Sequence, residues 1–305
     1  MEERNEKVTM EYVEACNFIR QYMGSSKKTQ AQVARELDIS PATLSGFLAG
    51  TYKAPHTVIS KIEELASISV QKKKAPKEPD YKETSISRIV TNAIRYAHLQ
   101  GKISVVYGDA GIGKTMAFQK YLENNELAVG ITISPTYSSI TGVNEKLAEQ
   151  LGIRERVARK QTTEIVNKLR GSGRVVAIDE AQHLTVRALD HLRCIADESG
   201  VGLCLIGNEA VYEKLKGNRG KEFAQLFSRL GMKPHVLVNN ITKQDVQSIF
   251  GSYVPGNEEM ELLFRICRTA YGLRGAVNVF INTLDVFQEI TSQGLARMMR
   301  EMGIG

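Results

Sequence analysis

Residues 103–115 read Ile103-Ser-Val-Val-Tyr-Gly-Asp-Ala-Gly-Ile-Gly-Lys-Thr115, a short, mostly apolar run that passes directly into the pattern GxxxxGKT. The apolar, β-branched half predicts a buried strand over 103–107. The second half predicts a loop that wraps phosphate. Gly108 and Gly113 let the backbone curl with its N–H groups inward, and Asp109, Ala110, Gly111 and Ile112 supply the amides between them. Lys114 would reach the β- and γ-phosphates, and the Thr115 hydroxyl would hold Mg2+. A helix predicted over 114–123 directs the positive end of its dipole at the same place. ATP with Mg2+ is the ligand this stretch expects.

Working outward, strand and helix signals alternate. Helices are expected at 86–99, 143–151 and 162–169, and strands at 128–133, 174–178 and 201–206. This alternation predicts an α/β fold, a mostly parallel sheet with helices on both faces. From Thr242 onward only helical spacing remains, which predicts an α-helical lid over 241–305. The run Arg174-Val-Val-Ala-Ile-Asp179-Glu180 is an apolar strand ending in two carboxylates, 65 residues beyond Lys114 for the first of them. Asp179 would bind Mg2+ through water and Glu180 would polarise the attacking water.

The N-terminal residues 1–70 differ in kind. Thr29-Gln-Ala-Gln-Val-Ala-Arg-Glu-Leu sets Val33, Ala34 and Leu37 at helical spacing, and Ser40-Pro41 caps and opens a second helix that Gly50 stops. The unit has the spacing of a helix-turn-helix, with Ala42, Thr43, Ser45 and Gly46 near the start of the second helix. No arginine there offers bidentate guanine readout. Eight Lys and Arg face nine acids in this region, so it is not basic. Residues 71–84, with two prolines in a run of charges, predict a linker to an 85–240 α/β domain. Basic charge gathers instead at Lys72, Lys73, Lys74 and Lys77, and at Arg154, Arg156, Arg159 and Lys160, where phosphate contacts would be independent of sequence.

Length and composition set outer bounds. A chain of 305 residues with 42% hydrophobic and 24% charged residues is long enough for two or three cored domains. The formal charge of +6 favours an anionic partner, nucleic acid first. The four cysteines show no CxxC spacing, which argues against a zinc module or disulfide framework and predicts buried thiols. No signal-peptide pattern and no membrane-length apolar run is present, so a soluble cytoplasmic protein is expected.

Over roughly residues 85–300 the chain resembles the AAA+ ATPases. That resemblance implies three further site residues. Asn208, closing Cys204-Leu-Ile-Gly-Asn208, matches the polar sensor at a strand end; Arg229 in Phe227-Ser-Arg229 matches an arginine finger that reaches a neighbour's γ-phosphate; Arg274 in Gly272-Leu-Arg274-Gly275 matches a lid arginine. The order of helix-turn-helix, Lys-rich linker, AAA+ module and helical tail is similar to the target-selection ATPases of transposition, the phage Mu B family. Stretches such as Ile131-Thr-Ile-Ser-Pro-Thr, Ile178-Asp-Glu-Ala-Gln-His-Leu and Glu222-Phe-Ala-Gln-Leu-Phe-Ser-Arg carry the likeness. It implies ATP-dependent helical filaments, a homo-oligomer on double-stranded DNA, delivery of that DNA to a DDE transposase, and a bacterial or phage-infected cytoplasm. Two alternatives stay open: a helicase-loader or insertion-sequence helper ATPase, and a transcription regulator whose helix-turn-helix ATP switches.

Overall fold

In the computed structural model, residues 11–216, 229–254 and 256–304 are described. Phe227, Ser228 and the 222–228 stretch, with Arg4 and Lys7, lie outside them. The chain divides into two units, Met1–Pro76 and Lys77–Gly305.

The strand that opened the sequence analysis is the middle of the second unit. Strand β1 (Ile103–Gly108) is buried along its whole length, as a central parallel strand must be. It lies between β4 (Gly202–Ile206) and β5 (Leu230–Met232), beyond β4 come β3 (Val175–Asp179) and β2 (Ala128–Thr132), and the short β6 (His235–Val236) also pairs with β1. All these pairings are parallel. Side chains alternate between two cores with the strand period of two. Val106, Val175, Ala177, Cys204 and Ile206 join one cluster, whereas Val105, Val176, Ile178, Leu203 and Leu205 join the other.

Helices α5 (Ser85–Gln100) and α6 (Lys114–Glu123) cover the first face. Helices α7 (Ile140–Leu151), α8 (Ala158–Leu169), α9 (Val186–Ser199) and α10 (Glu209–Lys216) cover the second. The tail is helical, with α11 (Lys243–Phe250), α12 (Asn257–Cys267), α13 (Gly272–Phe287) and α14 (Ser292–Glu301) packed into the first core. The expected α/β architecture with helices on both faces and a helical tail is therefore present. Strands β5 and β6 and helices α9 and α10 were not expected from the sequence. The two strands are too short to show alternation, and α10 has only eight residues.

Asp245 fastens the tail to the α/β layer. Its Oδ1 accepts from the Ser85 backbone at 2.7 Å and from the Ser85 hydroxyl at 3.1 Å, while Oδ2 accepts from the Thr242 backbone at 2.8 Å. The carboxylate thus caps the start of α5 and closes the capping box of α11. Asp245→Ala removes the shared acceptor of these three part-buried hydrogen bonds and is expected to destabilise the unit by about 3 kcal/mol. A thermal melt should show a midpoint about 6–12 °C lower.

A second polar link joins α7, α8 and α9. His191 Nε2 donates to Asn144 Oδ1 at 2.8 Å, and Asn144 Nδ2 donates to Thr162 Oγ1 at 2.8 Å. Burial holds the His191 imidazole below its ordinary range, with Asp190 and Glu198 opposing. The unfolded chain therefore takes up the proton more readily than the folded one. Stability from this contact is complete above about pH 6.5 and is lost as pH falls toward the lower folded-state value. Urea melts at neutral and mildly acidic pH test this: His191→Gln should flatten the acid-side loss, and an unchanged pH slope contradicts it.

The first unit is all helical: α1 (Tyr12–Ser26), α2 (Gln30–Glu36), α3 (Pro41–Leu48) and α4 (Pro55–Lys74). Val33, Ala34, Leu37, Leu44 and Phe47 form its core with Ile19, Val58 and Ile62. Ser40 accepts from the Thr43 N–H at 3.0 Å, so it is the cap that the sequence suggests. The expected linker at 71–84 begins later than composition implied. Helix α4 continues through Lys74, because lysine is a good helix former that needs no apolar face. It ends where Ala75, at φ −58° and ψ 138°, precedes Pro76.

Cys16, Cys204 and Cys267 are buried, and burial pushes the Cys204 and Cys267 thiols up to about 12. Cys194 departs from expectation in being only half-buried, next to Arg193. Among the described residues no helix is long and apolar enough to cross a membrane.

Candidate nucleotide site

The loop after β1 folds as a cradle. Gly108, Gly111 and Gly113 take φ of 139°, 71° and 98°, a region that side-chain-bearing residues avoid. A Cβ on Gly108 would sit 1.8 Å from the Val236 carbonyl oxygen, so glycine is also demanded by the close pass of β6. Asp109 secures that pass: its N–H donates to Val236 O at 3.0 Å, and its Oδ2 accepts from Val238 N–H at 2.7 Å. On the other side Gly111 O accepts from the Arg274 N–H at 2.9 Å, which ties the loop to the start of α13. Ala110 lines the cleft within the loop, while Ile112 faces the core and is fully buried.

Lys114 opens α6 and folds back over the loop. Its Nζ donates to Gly108 O at 3.1 Å and to Asp109 O. Burial lowers its pKa, and Asp179, Glu180 and Asp109 pull it up again. Asp179, at the C-terminal end of β3, is 2% exposed, and its Oδ2 makes no hydrogen bond. Burial raises its pKa, while the Thr115 hydroxyl and Lys114 favour the charged form. A buried carboxylate oxygen without a partner, facing a threonine hydroxyl, is the donor set that a hard divalent cation takes. The residues present therefore fit Mg2+.

Glu180 stands next, in left-handed backbone at φ 55°. Its Oε2 accepts from Gln182 Nε2 and lies 3.9 Å from His183 Nε2. Asn208 follows β4 and caps α10, its Oδ1 accepting from the Ala210 N–H at 2.9 Å. Lys114, Thr115, Asp179, Glu180, Asn208 and Arg274 all line one cleft of about 600 Å³.

Sequence reasoning missed part of this cleft. Glu78, Pro79, Asp80, Tyr81 and Lys82, in the stretch taken for linker, form one wall, and Ile249, Leu273 and Val277 form an apolar one. Tyr81, the only aromatic residue in 71–84, was the available signal; Lys120 Nζ lies 5.9 Å from its ring centre. Gln182, between the second motif and α9, also faces the cleft and was not singled out.

Other expected residues lie elsewhere. Arg229 is not among the cleft residues; it pairs with Asp197 of α9, which also receives Arg193 at 2.8 Å. Arg154, Arg156, Arg159 and Lys160 are exposed around the start of α8. Glu155 shapes that turn, its Oε1 accepting from the Arg156 and Val157 backbones at 2.8 Å each. In the first unit Ser45 is exposed, whereas the Thr43 hydroxyl is engaged with Ser40 Oγ at 2.8 Å.

A phosphate cradle at the end of a central parallel strand, with an acidic pair at the end of the third, defines a P-loop ATPase of the AAA class. The family described as AAA domain matches residues 97–215. A solved neighbour, the ORC2 protein of Aeropyrum pernix in its ADP form, superposes with a TM-score of 0.52 at 15% identity, covering 74% of this chain and 70% of that one. That likeness shows the fold.

The chain belongs to the family of Mu-type transposition B proteins. It is 31% identical over 269 residues to the Mu-like prophage FluMu DNA transposition protein B of Haemophilus influenzae, covering 85% of this chain and 92% of that protein. It is likewise 31% identical over 265 residues to the ATP-dependent target DNA activator B of Escherichia phage Mu, covering 84% and 83% respectively.

Proposed function

We propose that this chain is an ATP-dependent DNA-binding ATPase that assembles on double-stranded target DNA and delivers it to a DDE transposase, with hydrolysis driving disassembly. The observation that carries the ATPase half is the convergence of Lys114, Thr115, the unpartnered Asp179 oxygen and Glu180 on one cleft. The relatives' names, a DNA transposition protein and a target DNA activator, support the other half.

In this reading the amides of residues 108–113 and the Lys114 ammonium hold the phosphates, and the apolar wall with Tyr81 receives the base. Mg2+ held by Thr115 and Asp179 would neutralise phosphate charge. Glu180 accepts a hydrogen bond from the attacking water and orients it. Asn208 steadies the same water from the end of β4. Arg274 approaches the phosphates from α13, and Arg229 serves a neighbouring subunit's cleft, since it lies outside its own. An assembly would therefore hydrolyse ATP faster than a free subunit. Arg154, Arg156, Arg159 and Lys160 would meet the DNA backbone in such an assembly. The α2–α3 pair of the first unit, presenting Ser45 and the start of α3 with Thr43, would add contacts of its own as a helix-turn-helix.

Electron microscopy with plasmid DNA and a non-hydrolysable ATP analogue tests the assembly. Continuous helical filaments on DNA are expected. Closed rings, or discrete dimers at one sequence, would rule it out.

A further inference from the structure

The segment after the acidic pair contains a cross-link that the reaction as described does not use. The backbone is left-handed at Glu180 and passes into a three-residue helical turn, from which Gln182 reaches the residues that follow β4. There the Gln182 side chain makes two hydrogen bonds of opposite sense. Its Nε2 donates to Glu180 Oε2, and its Oε1 accepts from the Asn208 backbone N–H at 3.3 Å. A carboxylate can only accept and a backbone N–H can only donate, so one orientation of the amide satisfies both. The backbone at this point is fixed as well. Lys214 Nζ, reaching from α10, donates to the carbonyl oxygens of Gln182 and Leu184, the latter at 2.9 Å. Gly207 makes room for the amide: a Cβ there would fall 2.6 Å from Gln182 Oε1.

Glu180 must be held in one place if it is to orient a water, yet its side chain is 43% exposed. An exposed glutamate loses rotamer freedom only where a contact constrains it. Gln182 supplies that contact, and the same amide grips the backbone of Asn208, whose side chain lies in the nucleotide cleft. Two hydrogen bonds thereby connect the end of β4 to the carboxylate. Glutamine suits this place because it offers a donor and an acceptor at once. Glutamate would lose the donor and set a like charge beside Glu180, and methionine would fill the space while offering neither.

We propose that Gln182 is a positioning residue, which orients the Glu180 carboxylate for hydrolysis and couples it to the Asn208 end of β4. This rests on the ATPase reading of the cleft and on Glu180 as the water-orienting group. Because Gln182 acts through Glu180, its loss lowers turnover without loosening the phosphate cradle.

Steady-state ATP hydrolysis by the full chain with plasmid DNA, beside equilibrium binding of a fluorescent ATP analogue, tests the proposal in Gln182→Met, Gln182→Glu and Glu180→Gln. For both Gln182 variants kcat should fall about tenfold or more; in Gln182→Met, which adds no charge to the cleft, KM and analogue affinity should stay within about twofold of wild type. Thermal melts identify any variant that has not folded, and the two replacements differ enough in chemistry for one to serve if the other fails. Combining Gln182→Met with Glu180→Gln should lower kcat no further than Glu180→Gln alone, since the two residues act as one unit. A kcat within twofold of wild type in a folded Gln182 variant overturns the proposal, as does a fall in Gln182→Met matched by equally weakened nucleotide binding. If Glu180→Gln keeps wild-type turnover, the role of Glu180 falls first and this inference with it. If Glu180→Gln is inactive while both Gln182 variants are active, only the positioning role is lost.

Discussion

Lys114→Ala is expected to abolish tight ATP binding and to lower hydrolysis by about 10²–10³-fold, the scale of losing a preorganised electrostatic contact in a site shielded from water. Lys114 carries the positive charge of the cradle, and its ammonium bridges the Gly108 and Asp109 carbonyls across the loop. Its removal leaves Asp179 and Glu180 facing the cleft, with Arg274 and Lys82 as the cations that remain among its described lining residues. The carboxylates would then repel the phosphates that the amides are shaped to receive. Two lost hydrogen bonds also cost roughly 1–3 kcal/mol of stability, so circular dichroism belongs beside the assay. Titration with a fluorescent ATP analogue and phosphate-release kinetics check the result. Wild-type affinity in the variant would place the nucleotide elsewhere.

Arg229→Ala should behave differently. It lies outside its own cleft, and its ion pair with Asp197 is half-exposed, so its loss should change stability by less than about 1 kcal/mol. An arginine that reaches a neighbour's γ-phosphate is worth about 10³-fold or more in turnover. The variant should therefore bind the ATP analogue as the wild type does, while its DNA-stimulated hydrolysis falls to the level of an isolated subunit. Turnover measured against protein concentration separates the two states. A variant that keeps its concentration-dependent rise would remove Arg229 from the reaction.

These expectations divide along what the sequence made legible. The phosphate loop could be read because its requirements are local: glycines at set spacing, a lysine and a hydroxyl, all between a strand and a helix. The acidic pair was legible for a similar reason, since four buried apolar residues ahead of Asp179 mark a strand end. Asn208 was reached only through the resemblance to the AAA+ ATPases, which implies a polar residue at that strand end. The wall formed by residues 78–82 was hidden because contact with the cleft depends on tertiary folding, and its prolines and charges look like those of any linker. Strands β5 and β6 escaped because β5 has three residues and β6 two, too few for periodicity, although the pairing of β6 with β1 forces Gly108 to be glycine. Gln182 was invisible for a chemical reason. An amide becomes informative only when its donor and acceptor can be assigned to partners, here Glu180 and a residue 26 positions away.

The central claim is that the cleft is an ATPase site completed by a neighbouring copy of the chain. Mixing two inactive variants tests it most directly. Lys114→Ala subunits keep Arg229 but have no working cradle, whereas Arg229→Ala subunits keep the cradle but have no arginine to offer. With DNA and ATP, each alone should be nearly inactive, and the mixture should recover hydrolysis wherever an intact Arg229 meets an intact cradle. A mixture that stays as inactive as its components, while still assembling on DNA, would contradict a site shared between subunits.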